Sequence, residues 1–292
     1  MDLIIYRGCT IPVRLPGYEA ATIAVLEKLG VNVTVMNDAN CCGAQYIESL
    51  NRMAYAVMCG RLLAIAEREE RDIVALCGAC SGSLKTNQHF LDNDIQARDE
   101  VNSILADEGL KYTGKVRVRH LLQVLMEDIG IEAIERAIVA PYKGTKLASH
   151  YGCHVTRPYE IVQVDDPENP TILDRIVEAA GGTAVDYPGK TRCCGGPMLA
   201  MDEEVAGVIG LDKIEKIGEA GADGIVTACV FCDIQLTQVQ FGDKAGNPRK
   251  IPVLPIPQFL GLALGIEDSA LGFELNKIDP ETVVSGCSGG LK

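Results

Sequence analysis

The sequence has 292 residues, enough for two domains of ordinary size, and 47% of them are hydrophobic, enough to form a core. A net charge of −13 argues against a nucleic-acid partner, because phosphate binding needs a basic surface. The N-terminus lacks the basic leader of a signal peptide, and no uncharged apolar run approaches about 20 residues, so we expect a cytoplasmic chain without a membrane span.

Strands and helices alternate along the first half of the sequence. A strand at residues 3–6 runs into Gly8 and Cys9, and glycine ends the next predicted helix. Further along, a buried strand runs directly into Cys77, where another helix begins. The remaining predicted elements are a helix at 18–29, a strand at 31–35, a helix at 44–70, strands at 72–76 and 116–118, and a final helix.

The second half repeats this order. Its predicted strands are 146–150, 183–187, 224–228 and 251–254, and its helices are 169–180, 198–220, one that starts at Cys229, and 258–264. Strands that alternate with helices at this spacing are typical of βαβ units. We therefore predict an α/β fold of two tandem Rossmann-like, doubly wound domains with parallel sheets, 1–144 and 145–292, related by internal duplication.

Ten of the twelve cysteines form two sets of five in the same pattern: a lone cysteine, a Cys-Cys-Gly turn and a C-x-x-C. The pair and the C-x-x-C are 36 residues apart in both sets, whereas the lone cysteine precedes the pair by 32 residues in one and 40 in the other. This is the pattern of a duplicated fold with one variable loop. The sets are Cys9, Cys41, Cys42, Cys77 and Cys80, and Cys153, Cys193, Cys194, Cys229 and Cys232.

Each set follows the ends of predicted parallel strands, and ligands bind beyond those ends in doubly wound sheets. We therefore expect the five thiols of a half to meet at one edge of the sheet. Thiolates are soft ligands that suit iron–sulfur clusters, zinc or copper(I). Zinc and a cubane cluster take four ligands each, which leaves the fifth thiol as a spare, a catalytic group or a ligand of an unusual cluster.

The other cysteines and the polar residues near the motifs carry weaker expectations. Cys59 is predicted to be a small buried residue within a helix, and Cys287 an incidental or weakly regulatory thiol. His154, next to Cys153, is a candidate proton donor or a turn cap. Three basic residues flank the ligand cysteines: Arg7, Arg157 and Arg192. They are candidates for binding an anionic substrate, and the alternative is that they are ordinary surface residues. The other histidines are expected to be structural or exposed: His89, His120 and His150.

The two complete copies of the motif resemble the cysteine-rich CCG domain, and nearly the whole chain resembles the B subunits of CoB–CoM heterodisulfide reductase, an oxidoreductase of methanogenesis. The resemblance implies that each set of five cysteines binds a non-cubane [4Fe-4S] cluster. It further implies that the heterodisulfide CoM-S-S-CoB binds between the two clusters and receives one electron from each.

The sequence contains neither the cysteine run of a ferredoxin nor a G-x-G-x-x-G dinucleotide motif, so electrons must come from elsewhere. The resemblance implies three partners: the ferredoxin-like C subunit of heterodisulfide reductase, its flavin-containing A subunit, which bifurcates electrons, and an associated hydrogenase or formate dehydrogenase. Two alternatives remain open. One is an electron-transfer component of another CCG-domain complex, such as a lactate or glycolate oxidation system, and the other is a non-catalytic zinc or scaffold protein.

Overall fold

The computed structural model describes residues 1–44, 46–242 and 250–288. In this part of the chain eight strands form two four-stranded sheets, ordered β2-β1-β3-β4 and β6-β5-β7-β8, in which every pair of neighbouring strands is parallel. The predicted fold class, two similar α/β domains with parallel sheets, is confirmed.

The first half contains four of the strands, with helices between them. Its strands are β1 (Asp2–Tyr6), β2 (Asn32–Val35), β3 (Asp72–Ala75) and β4 (Val118–His120). Its helices are α1 (Ile11–Arg14), α2 (Pro16–Lys28), α3 (Ile47–Leu50), α4 (Arg52–Arg68), α5 (Gly78–Asn93), α6 (Ile95–Leu105), α7 (Leu121–Gln123) and α8 (Ile131–Ala137).

The second half repeats the strands and has a similar set of helices. Its strands are β5 (Lys146–His150), β6 (Thr183–Val185), β7 (Gly224–Thr227) and β8 (Val253–Pro255). Its helices are α9 (Cys153–Thr156), α10 (Tyr159–Val162), α11 (Ile172–Ala179), α12 (Glu203–Glu219), α13 (Val230–Gln238), α14 (Ile256–Ala263), α15 (Asp268–Leu271) and α16 (Glu281–Val284).

The central strands β1, β3, β5 and β7 are buried along most of their length, as expected when helices cover both faces of a parallel sheet. Their registers are also repeated. Tyr6, the last residue of β1, pairs with Ala75 of β3, and His150, the last residue of β5, pairs with Thr227 of β7. Tyr6 and His150 therefore occupy the same position in the two domains, three residues before the first cysteine of each set.

Two long predicted helices are interrupted. The helix predicted at 44–70 is divided into α3 and α4 at Asn51, whose extended backbone and side chain cap α4 by accepting a hydrogen bond from the Ala54 N–H. The helix predicted at 198–220 is replaced by a 3₁₀ turn at Gly196–Ala200 and by α12, which Asp202 caps in the same way. A capping side chain within an apolar pattern marks both breaks.

The two halves pack against each other through helices. α5 of the first half contacts α9 and α10 of the second, and α2 contacts α14 and α15. Residues just before the predicted boundary at 144/145 also bond to the second half, since Tyr142 N–H donates to the Ala180 carbonyl. That boundary remains a prediction. Among the described helices, none has the length and apolar character needed to cross a bilayer.

Candidate metal centre

The strand ends bring the ten repeated cysteines together. In each half the lone cysteine lies three residues past the first strand, and the C-x-x-C begins two residues past the third. Cys77 and Cys229 are the N-caps of α5 and α13, so the second cysteine of each C-x-x-C lies in the first turn of a helix. These positions match the predicted convergence at one edge of each sheet.

The ten thiols form one continuous series of side-chain contacts, which we call the thiol row. Within the first half Cys42 Sγ and Cys80 Sγ are 3.7 Å apart. The row crosses between the halves at Cys77 and Cys229, whose sulfurs are 3.8 Å apart. The order along the row is Cys9, Cys41, Cys42, Cys80, Cys77, Cys229, Cys232, Cys194, Cys193 and Cys153.

The inner and outer parts of the row differ in burial, and they do so equally in both halves. The inner thiols are all buried: Cys42, Cys77, Cys80, Cys194, Cys229 and Cys232. The outer thiols are accessible to solvent, since Cys9 is exposed and Cys41, Cys153 and Cys193 are partly exposed. The row therefore has a dry centre at the contact between the halves and two ends that open to the surface.

The Cys-Cys-Gly turns are built by their glycines. Gly43 and Gly195 have φ values of +76° and +89°, a conformation that favours glycine. In each turn the glycine N–H donates a hydrogen bond to the first cysteine, at 3.4 Å to Cys41 Sγ and 3.4 Å to Cys193 Sγ. The turn thus lets two adjacent cysteines reach the same row, and it supplies a donor to one of them.

Mutual hydrogen bonds set the protonation of the row. The pKa of Cys42 is well below its usual value because its sulfur is hydrogen-bonded to Cys41 and Cys80. Donation from Cys153 and Cys194 lowers the pKa of Cys193 to about 2, and donation from Cys232 and Cys77 lowers that of Cys229. A hydrogen bond to one partner's thiolate raises the pKa of the donor. Without a bound metal, the row therefore consists of thiolates flanked by thiols. When a cation binds, the remaining thiols lose their protons, so that every ligand cysteine becomes a thiolate.

The two cysteines outside the motifs are also buried. Cys59 lies within α4, as predicted, and its Sγ donates to the Cys42 carbonyl at 3.3 Å. Cys287 is buried, and its Sγ donates to the Ala140 carbonyl at 2.8 Å, on the segment that joins the halves. The weakly regulatory role of Cys287 stays a prediction.

The predicted basic residues have different surroundings. Arg7 forms an ion pair with Glu19 at 2.8 Å, and Arg157 bonds to the carbonyls of Thr191 and Pro167. Arg192 is exposed and lies at the edge of a cavity of about 310 Å³. That cavity is also lined by Cys193, by Lys213 and by Lys216, which forms an ion pair with Asp212 in the same lining.

His154 lies where the halves meet. It is partly buried in α9, next to Cys153, and its main chain packs against Gly82 of α5. Its role as a proton donor remains a prediction.

Two buried groups near the row have greater chemical interest than the sequence indicated. Asp233 follows Cys232, and burial raises its pKa to about 7. His150 is fully buried, and desolvation lowers its pKa to about 3, so the ring is neutral. A ring nitrogen of His150 and the Sγ atoms of Cys194 and Cys232 all lie within 4.8 Å of one another. The sequence predicts a structural or exposed His150, and the structure shows it buried, three residues before Cys153.

Two parallel-sheet domains that present ten adjoining thiols from their strand ends define a class of cysteine-rich protein that binds metal through thiolates. The model of the CCG family, described as a cysteine-rich domain, matches residues 3–85 and 147–237, one copy in each half. The chain is 36% identical to the B subunit of the ferredoxin/F420H2-dependent CoB–CoM heterodisulfide reductase of Methanosarcina acetivorans, over 94% of this chain and 93% of that one.

A second relative, at 29% identity, is the membrane anchor subunit of the 8-methylmenaquinol:fumarate reductase of Wolinella succinogenes, matched over 95% of this chain and 97% of its own. The crystal structure of a hypothetical protein from Helicobacter pylori has the same fold, with a TM-score of 0.75 at 14% identity, over 94% of this chain and 51% of that one. The chain belongs to the family of heterodisulfide reductase B subunits with tandem CCG domains.

Proposed function

We propose that the chain is the disulfide-reducing component of a CoB–CoM heterodisulfide reductase and that it converts CoM-S-S-CoB to two thiols. The reaction consumes two electrons and two protons. The observation that supports it is the thiol row: two complete sets of five donors that meet at Cys77 and Cys229, 3.8 Å apart.

The donor set fits an iron–sulfur cofactor. Thiols contact one another along the whole row, and soft sulfur donors favour iron–sulfur centres. We propose one non-cubane [4Fe-4S] cluster in each half. Cys9, Cys41, Cys42, Cys77 and Cys80 would hold the first, and Cys153, Cys193, Cys194, Cys229 and Cys232 the second. When bound, each cluster would supply one of the two electrons.

The protein's own residues have three tasks in this proposal. Buried inner cysteines keep water from the centre of the row, which suppresses side reactions of reduced sulfur. His154, partly exposed beside Cys153, is placed to donate a proton to a product thiolate. Arg192 and Lys213 beside Cys193 would attract an anionic part of the substrate. Arg157, which donates to the carbonyl of Thr191 next to Arg192, would add a positive charge on the same half.

The electron donors belong to the same proposal. The ferredoxin-like C subunit would pass electrons to this chain from the flavin-containing A subunit, and a hydrogenase or formate dehydrogenase would supply them. We expect this complex to work in the cytoplasm.

The test is anaerobic purification of the full chain, with iron and acid-labile sulfide measured per chain, followed by thiol production from CoM-S-S-CoB with a chemical reductant. We expect iron and sulfide for two clusters and formation of both thiols. Stoichiometric zinc without labile sulfide would contradict the proposal. Intact clusters with no disulfide cleavage would favour an electron-transfer role in another complex, an alternative that the relative from Wolinella succinogenes supports.

A further inference from the structure

His150 differs from every other histidine that the structure describes. It ends β5 and is fully buried, and one of its ring nitrogens lies within 4.8 Å of both Cys194 Sγ and Cys232 Sγ. Its Nε2 has no hydrogen-bond partner among the described residues. A buried ring nitrogen without a partner is costly, so an unpaired one calls for an explanation.

The hydrogen bonds on the other side of the ring fix where its proton is. The Tyr187 hydroxyl donates to the Ser149 carbonyl at 3.1 Å, because a carbonyl can only accept. The Tyr187 oxygen is then free to accept from His150 Nδ1 at 3.3 Å. With the proton on Nδ1, the neutral ring has its lone pair on Nε2. This is the arrangement of a metal-ligating histidine, whose second nitrogen donates to an outer partner that orients the ring.

His120 provides an internal contrast. It is equally buried, but Nε2 bonds to the Ala228 carbonyl at 3.1 Å and Nδ1 accepts from the Leu122 N–H at 3.2 Å. Both nitrogens of His120 are therefore satisfied by the protein. Burial alone therefore does not explain why the Nε2 of His150 has no hydrogen-bond partner among the described residues.

The first half has no equivalent donor at this position. Tyr6 stands where His150 stands in the second half, and its hydroxyl donates to the Asn40 carbonyl at 3.0 Å. The Tyr6 hydroxyl is thus already hydrogen-bonded, and its ring has no nitrogen that could bind a metal beside the thiols. The two sets of five cysteines are therefore alike, but among the described residues only the second has a histidine facing it.

We infer that His150 is a ligand of the metal centre in the second half and binds iron through Nε2 beside Cys194 and Cys232. The inference rests on the proposed function for the identity of the metal, and it adds a nitrogen donor to the five thiols. Tyr187 is the positioning residue that holds the ring. Histidine ligation raises the reduction potential of an iron–sulfur centre. The cluster in the second half is then the first to be reduced.

The test is hyperfine spectroscopy of the reduced full chain, prepared anaerobically with natural-abundance or ¹⁵N-labelled histidine. We expect a strong nitrogen coupling on one of the two clusters that changes with the label. The coupling should disappear in His150→Ala and persist in His154→Ala, a matched control next to another row cysteine. In a redox titration the cluster that shows the coupling should be reduced at the higher potential.

If His150→Ala does not fold, single replacements of His89, His120 and His154 still decide the matter. A label-sensitive coupling that survives all three can come only from His150. Two intact clusters and disulfide reduction without any such coupling would overturn this inference alone, as would a coupling lost in His154→Ala. Zinc without sulfide would overturn the proposed function as well.

Discussion

The two halves of the molecule share their thiols but differ in the charges around them. In the first half Arg7 is paired with Glu19, and Arg61 is paired with Asp38 and Glu108. In the second half Lys213 of α12 donates to the Gly189 carbonyl and lines the cavity of Arg192. The fold thus repeats the set of five cysteines, whereas the charged side chains around the two sets differ.

The largest expected effect tests whether the halves are equivalent as metal sites. Cys42→Ala and Cys194→Ala should each remove about half of the iron and abolish disulfide reduction, because each takes one ligand from one cluster. Iron and sulfide analysis with a thiol assay measures both. Cys59→Ala is the control, since Cys59 is equally buried beside Cys42 but lies outside the motif. Full activity with two clusters in either variant would contradict the ligand assignment.

A second prediction concerns His120, a buried histidine at the end of β4, where the second half has proline in the corresponding position. Burial lowers the pKa of His120 from its ordinary 6.5 to about 4, and Pro255 ends the corresponding strand of the second half. Between these pH values the unfolded chain binds a proton that the folded chain does not. The contribution of His120 to the free energy of unfolding should therefore fall as the pH drops from 6.5 toward 4, by on the order of 3 kcal/mol. His150, whose pKa burial lowers to about 3, adds a contribution of the same sign.

His120→Asn should make that pH dependence shallower and leave the part that His150 contributes, and His89→Asn, a change at an exposed histidine, should leave it unaltered. Denaturant unfolding at a series of pH values measures both. An identical slope for wild type and His120→Asn would show that His120 does not contribute to it.

The third prediction compares two glycines at the same place in the repeat. A Cβ on Gly152 would lie 2.7 Å from Cys229 Cβ, whereas one on Gly8 would meet only Cys80 Sγ, at 3.0 Å. Both have positive φ, so the difference is steric. Gly152→Ala should cost roughly 1–3 kcal/mol more than Gly8→Ala in thermal or denaturant unfolding. Equal losses would mean that the second half accommodates the methyl group as easily as the first.

The smallest expected effect concerns the unequal charges. Arg192→Gln should raise KM for the disulfide several-fold, about 1 kcal/mol of binding, with little change in kcat. Arg7→Gln should change KM less, because Glu19 already neutralises that guanidinium. Steady-state kinetics on the reconstituted chain separates the two. A larger KM effect at Arg7 would place the anionic end of the substrate on the first half instead.

Much of the fold could be predicted from the sequence because strands, glycines and cysteines follow one another in the same order in both halves. The interval from Cys41 to Cys77 also equals the interval from Cys193 to Cys229. The contact between Cys77 and Cys229 could not, since spacing within a half says nothing about how two halves pack. His150 was overlooked because its meaning depends on Tyr187 and on the unpaired side of the ring. The pairing of Arg7 with Glu19, twelve residues away, likewise needs the fold.

Cys77 and Cys229 are equivalent positions of the repeat, and they touch each other where the halves meet, as residues on the two-fold axis of a homodimer do. The chain is in effect a dimer whose protomers have been joined end to end. In a dimer of identical chains any substitution appears twice, on both sides of the axis. Here Tyr6 and His150, or His120 and Pro255, can change separately, so the joined chain escapes the symmetry that a true dimer would impose on its centre.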